Sequence, residues 1–196
     1  MKFTIITLSL ITLLFIGVQL FALKGQHNIE SYTYNIEKEY ENFQIRSYKS
    51  TLFTSVKLNN NDYNNASSEG FSILAGYIFG GNETGEKISM TSPVTMSLED
   101  SMTMMFMVPN DLKKENLPTP NESKIEIKKE PAKTVAAIEF GGWADDKKIE
   151  FYKQKLISDL TSEGIVHSDK FYFYGYNAPY EVFNRKNEIV VELENY

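Results

Sequence analysis

The side chains able to do chemistry are unevenly spread along this sequence. Six of the seven methionines fall between Met90 and Met107: Met90, Met96, Met102, Met104, Met105 and Met107. A thioether is soft and polarizable, so the cluster suits an irregular apolar pocket, and it can also ligate Cu(I) or a haem iron. Core filling in two adjacent strands would use the same residues. The only histidines, His27 and His167, lack the spacing of a zinc site; each is either a ligand for iron or another metal, or a turn residue. In Phe171-Tyr172-Phe173-Tyr174-Gly175-Tyr176, alternation sends the phenylalanines to one face and the tyrosines to the other. That pattern fits a stacking wall for an aromatic ligand, or a core face backed by a half-wetted tyrosine face. Covalent catalysis has little to work with, since the chain has no cysteine and no G-x-S-x-G element. Gly80-Gly81-Asn82-Glu83-Thr84-Gly85 follows a helical pattern instead of preceding one, so its amides are not aimed as in a phosphate loop.

These residues hang on a regular frame. Phe71, Leu74, Ala75 and Ile78 recur at i, i+3, i+4 and i+7, one face of a helix that Gly80 and Gly81 then stop. The helix is nearly uncharged, so either a sheet or a flat apolar ligand must cover it. An extended run, Lys87-Ile88-Ser89-Met90-Thr91-Ser92-Pro93-Val94, follows. Upstream, Tyr34 to Leu58 reads as two strands broken near Tyr48-Lys49-Ser50, with Phe43, Ile45 and Ser47 opposite Gln44, Arg46 and Tyr48. Asn65 or Ser67 is placed to cap the helix. Downstream, Pro93–Glu99 and Met102–Pro109 form a hairpin, and Asp111 to Ser123, with Pro118 and Pro120, is a connector. The pattern then restarts: strands at Lys124–Glu130 and Thr134–Phe140, a helix capped by Asp145 and running to about Glu163, then strands at Phe171–Tyr176 and Glu188–Glu194. Two ββαββ units predict an α+β fold, an eight-stranded, mostly antiparallel curved sheet or half-barrel carrying two helices. A slot is expected on its concave side or in a helix–sheet crevice.

With 196 residues the chain suffices for one ordinary domain, and its charge of -6 without a basic face argues against a nucleic-acid partner. Lys2 precedes an uncharged, mostly apolar run from Phe3 to Leu23 that Lys24 closes. Residues 1–24 therefore read as a cleaved signal peptide or an N-terminal membrane anchor. Either way the remainder is expected outside the cytoplasm, periplasmic or anchored facing outward. Residues 25–33 are polar and read as a tether, and 34–196 as the domain.

Several stretches, in order, resemble the SOUL haem-binding protein family. They are Tyr40-Glu41-Asn42-Phe43-Gln44-Ile45-Arg46-Ser47-Tyr48; Phe71-x-x-Leu74-x-x-Tyr77-Ile78-x-Gly80-x-Asn82; Lys87-Ile88-Ser89-Met90-Thr91-Ser92-Pro93-Val94; Phe106-Met107-Val108-Pro109; Tyr176-Asn177-Ala178-Pro179; and Arg185-Lys186-Asn187-Glu188-Ile189. The resemblance implies a duplicated half-barrel related to bacterial effector-binding domains. It also implies reversible, non-covalent binding of haem or another tetrapyrrole; without an axial ligand such binding suits a carrier or buffer, and the chain is read as a binding protein and not an enzyme. Carried over by position, it nominates Phe71, Leu74, Ala75 and Ile78 as the pocket wall with Met90 opposite, and Lys87 as the nearest cation for the propionates. Neither histidine falls in a matching motif, which implies a modest, exchangeable complex. Two alternatives accompany this reading: a module for another amphipathic small molecule, and a hydrolase on the same scaffold.

Overall fold

The structure, a computed structural model, describes residues 29–59, 62–99, 101–194 and 196, with Thr7, Leu10, Thr12, Leu14, Gly17 and Gln19 ahead of them. The expected signal or anchor thus lies largely outside the described residues, as does His27. Among the described residues no helix is long and apolar enough to cross a membrane.

In chain order the elements are β1 (Glu30–Ser31), β2 (Tyr34–Glu39), β3 (Gln44–Tyr48), β4 (Thr51–Lys57), α1 (Tyr63–Ile78), β5 (Thr91–Ser92), β6 (Val94–Ser97), β7 (Thr103–Met107), β8 (Ile125–Glu130), β9 (Lys133–Gly141), α2 (Asp146–Ser162), β10 (His167–Gly175) and β11 (Lys186–Leu193). Nine strands form one sheet in the order β2-β3-β9-β11-β10-β6-β7-β4-β8. Every neighbouring pair in it is antiparallel. The duplication is visible in that order. β3, β4, β6 and β7 of the first half correspond to β8, β9, β10 and β11 of the second, and the halves meet where β6 pairs with β10. Each half gives its opening strand to the other: β3 pairs with β9, and β8 with β4.

Both helices lie on one face of this sheet. α1 packs on β4 and β7, and α2 on β9, β10 and β11. Leu74 and Ile78 of α1 pack on Val56, Leu58, Met96, Met104 and Phe106; Leu156 of α2 packs on Phe43, Ile45, Ile138, Phe173 and Ile189. On the other face a third cluster gathers Tyr32, Tyr48, Phe53, Met105, Met107, Val135, Ala137, Tyr172, Tyr174 and Val190. Period-2 alternation thus divides the methionines of β7, Met104 to the helix side and Met105 and Met107 to the other.

The structure departs from the sequence-based expectation in four places. The sheet has nine strands, not eight, because Tyr34–Glu39 adds β2 at an edge. Residues 29–33, expected in the tether, join the fold: β1 pairs in parallel with β5, and Tyr32 is buried. The cap of α1 is Asp62, whose carboxylate accepts the Asn65 N–H at 2.9 Å, so the helix starts earlier than a cap at Asn65 or Ser67 would place it. The tyrosine face expected to be half-wetted is largely dry, since Tyr172 and Tyr174 are both buried.

The two helices also touch at their starts. Asp146 Oδ1 accepts the Tyr63 N–H at 2.8 Å, so the first turn of α2 satisfies an otherwise orphan donor of α1. Asp146→Ala is expected to cost about 1 kcal/mol, like the loss of an N-cap, read as a lower urea midpoint at unchanged m-value.

Candidate functional site

The segment that follows α1 positions the family-matched residues. Gly80 takes φ of 108°, which turns the chain out of the helix without a Cβ clash. Asn82, buried, then organises the loop. Its Nδ2 donates to the carbonyls of Tyr77 (3.1 Å) and Glu86 (2.7 Å), and its Oδ1 accepts the Glu86 N–H at 3.1 Å. The Ile88 N–H donates to the Ile78 carbonyl at 2.8 Å, so the extended run is tied back to the helix end. The connector is pinned over the same region, with the Tyr77 hydroxyl donating to the Pro118 carbonyl at 2.9 Å.

The six nominated residues fall into three environments. Leu74, Ala75 and Ile78 are buried between α1 and the sheet and offer almost no surface while the helix stays packed. Phe71 and Met90 are half-buried at the rim of that core, with Ile73, Leu112 and Leu117; Phe71 sits edge-on to Phe106 at 5.5 Å. Lys87 is exposed. The rim therefore offers an aromatic and aliphatic surface with a free-standing cation in the adjoining loop. Two clefts open elsewhere. One of about 350 Å³ lies between Leu98, Met102 and the start of α2 at Asp146, Ile149 and Lys153. The other, about 450 Å³, is at one end of the sheet between Tyr48, Pro131, Lys133, Glu192 and Tyr196.

The face away from the helices holds the strongest electrostatics. Arg46 Nη1 lies 3.0 Å from Glu188 Oε2, with the two side chains 4% and 0% exposed. Glu188 Oε2 also accepts the Tyr176 hydroxyl at 2.7 Å, and Lys186 Nζ lies 3.1 Å from Oε1. The Arg46 guanidinium stacks on Tyr34 at 4.1 Å. Burial alone would raise the Glu188 carboxyl, but Arg46, Lys186 and the Tyr176 hydroxyl together hold it below the usual carboxylate value. The same burial, with Glu188 alongside, keeps the Tyr176 phenol far above its ordinary value. At the cleft end, Glu192 accepts the Tyr172 hydroxyl at 2.8 Å and pairs with Lys133 at 3.2 Å. Tyr32 fills the gap between β3 and β4, its ring 4.3 Å from Tyr48 and 5.3 Å from Phe53. Burial, with Glu130 nearby, pushes its phenol up to about 12. The chain's own rings thus occupy this interior.

Sequence reasoning missed the Arg46–Glu188 pair. Its one signal was a charge in the strand alternation, Arg46 in phase with Tyr48 and Glu188 in phase with Val190. His167 is half-buried at the start of β10. Its Nδ1 is 2.7 Å from the Ser168 carbonyl and its ring packs on Phe171, under α2 and away from the α1 rim. Among the described residues no three His, Asp or Glu side chains converge as a metal site.

Comparison with known proteins gives a consistent result. The family described as "SOUL heme-binding protein" matches residues 29–192. Heme-binding protein 2 of Mus musculus is 30% identical over 170 residues, 82% of each chain. Heme-binding protein 2 of Homo sapiens is 31% identical over 162 residues, 78% of each. Heme-binding protein 1 of Xenopus laevis is 27% identical over 161 residues, 78% of this chain and 84% of that one. Among solved structures, the EcmrR C-terminal domain superposes with a TM-score of 0.62 at 14% identity, covering 83% of this chain and 99% of that one. A hydrolase from Listeria innocua gives 0.52 at 9% identity, covering 81% and 94%. At such identities these two speak for the fold alone.

Proposed function

The chain belongs to the SOUL heme-binding protein family, and from that premise we propose that it binds haem or a related tetrapyrrole non-covalently, as a carrier or buffer. The observation that carries this reading is the family match across both halves of the sheet, residues 29–192. The rim of α1 supports it chemically. A porphyrin is a broad apolar plate with charged carboxylates at one edge. Phe71 and Met90 supply an aromatic and a thioether side chain at that rim, and Ile73, Leu112 and Leu117 are partly buried against the same core. Lys87, exposed in the loop after α1, is the nearest cation in sequence for the carboxylates. Leu74, Ala75 and Ile78 act from behind, fixing the helix that presents Phe71. The ligand brings its own redox-active iron; the residues of the rim bind and orient the plate, and no histidine stands among them.

Haem titrated into the full chain is expected to give a saturable Soret shift at micromolar concentration with one ligand per chain. A flat spectrum would remove the tetrapyrrole reading. Binding of an uncharged amphiphile under the same conditions would replace it with the broader one.

A further inference from the structure

One end of the molecule exposes more aromatic surface than a solvated face needs. Tyr180, Val182 and Phe183 are exposed in the loop between β10 and β11, and Trp143 in the turn between β9 and α2. Arg185 makes them one patch. Its guanidinium stacks on the Trp143 ring at 4.0 Å while Nη1 donates to the carbonyls of Ala178 (3.0 Å) and Glu181 (2.6 Å).

A second observation says what lies against this patch. Within the run Phe3 to Leu23 the only amide or charged side chain is Gln19. It is buried, and both ends of its amide are paired with the main chain of the aromatic loop. Nε2 donates to the Tyr180 carbonyl at 3.0 Å, and Oε1 accepts the Val182 N–H at 3.2 Å. An amide in an apolar run must have its donors and acceptor satisfied if that run is to leave water. The run has a length close to the roughly 20 residues a bilayer requires. Leu10 and Leu14, one helical turn apart, are exposed. Gln19 stands four residues short of Leu23, near the end of the run that adjoins the domain. Aromatic side chains favour the headgroup interface.

We propose that Trp143, Tyr180, Val182 and Phe183 form a membrane-contact surface, seated in the headgroup region of a phospholipid bilayer beside the apolar run that carries Gln19. Gln19 is the fastener that holds the loop to the run. The patch is aromatic and aliphatic, and its Arg185 guanidinium is engaged by the Trp143 ring and two carbonyls, so the contact is apolar and at most weakly sensitive to salt.

Trp143 is the sole tryptophan, so its emission reports on this patch alone. The test places the full chain in phosphatidylcholine vesicles with and without lipid brominated on the upper acyl chain. Brominated lipid is expected to quench Trp143 by about twofold, with iodide access falling and neither effect changing more than slightly with salt. The double variant Tyr180→Ser/Phe183→Ser should lose most of that quenching while keeping the native far-UV circular dichroism. Three results would overturn the proposal: vesicles that float without the protein, vesicles that carry it with Trp143 unquenched and open to iodide, or a Trp143 shielded only by a cross-linkable second copy. None of these bears on the haem titration, so the two readings can fail separately.

Discussion

Glu188→Ala will destabilise the domain by about 3–5 kcal/mol and lower its melting temperature by about 10–15 °C. The loss is large because of what stays behind. Arg46, its side chain 4% exposed, keeps a full charge with no carboxylate, Tyr176 loses its acceptor, and Lys186 loses one of its two carboxylate partners. Replacing both members of the central pair, Arg46→Met with Glu188→Leu, should recover most of the stability, since two buried charges and their desolvation disappear together. Equilibrium denaturation of the two single variants and the double gives the coupling directly. A cost below about 1 kcal/mol for either single change would place the pair with surface ion pairs and defeat the account. The pH dependence has a definite sign. The folded Glu188 carboxyl sits below its ordinary value of 4.5, so its contribution is full above that value and is lost as pH falls through the lower folded one. Glu188→Gln, which does not titrate, should flatten this acid limb.

The second large effect is on ligand affinity. Phe71→Glu with Met90→Glu is expected to weaken haem binding by about 100-fold or more, about 3 kcal/mol, in a protein that still folds. Both side chains are only half-buried, so the core under α1 keeps Leu74, Ile78, Met104 and Phe106. The new carboxylates remove apolar contact area and face the carboxylates of the ligand itself. By comparison Lys87→Glu, at an exposed cation, should change affinity only a few-fold. Native circular dichroism with unaltered affinity in the double variant would rule out the α1 rim as the binding surface.

Much of the frame was legible in the sequence because burial leaves a period. The alternation from Phe43 to Tyr48 put Phe43 and Ile45 on one side and Arg46 and Tyr48 on the other, and the structure turns the first pair to the helices; Asp145 and Gly80 marked helix ends as they occur. β2 left no such mark: all but one of its residues are exposed, and its place in the sheet rests on backbone pairing with β3. The start of α1 was hidden for a related reason. Tyr63, Asn64 and Asn65 carry no apolar rhythm, and two carboxylates, Asp62 and Asp146, hold that turn. The interior pair was out of reach, since Arg46 and Glu188 lie 142 residues apart and only the sheet order joins them. At the candidate site, the apolar face of α1 was legible but its covering was not. A stripe buried by a sheet and one covered by a ligand have the same spacing, and Leu74 and Ile78 proved to be of the first kind.

The exchange of β3 and β8 between the halves has a consequence for what counts as the folding unit. A half-sequence on its own would leave β4 or β9 with a bare edge of unsatisfied amides, and the most suitable cover for that edge is the opening strand of another half. The chain therefore has the geometry of a strand-swapped pair of subunits fused into one polypeptide, with Asp111–Ser123 as the joint. Scission at that joint would yield two complementary fragments, each carrying the strand that completes the other.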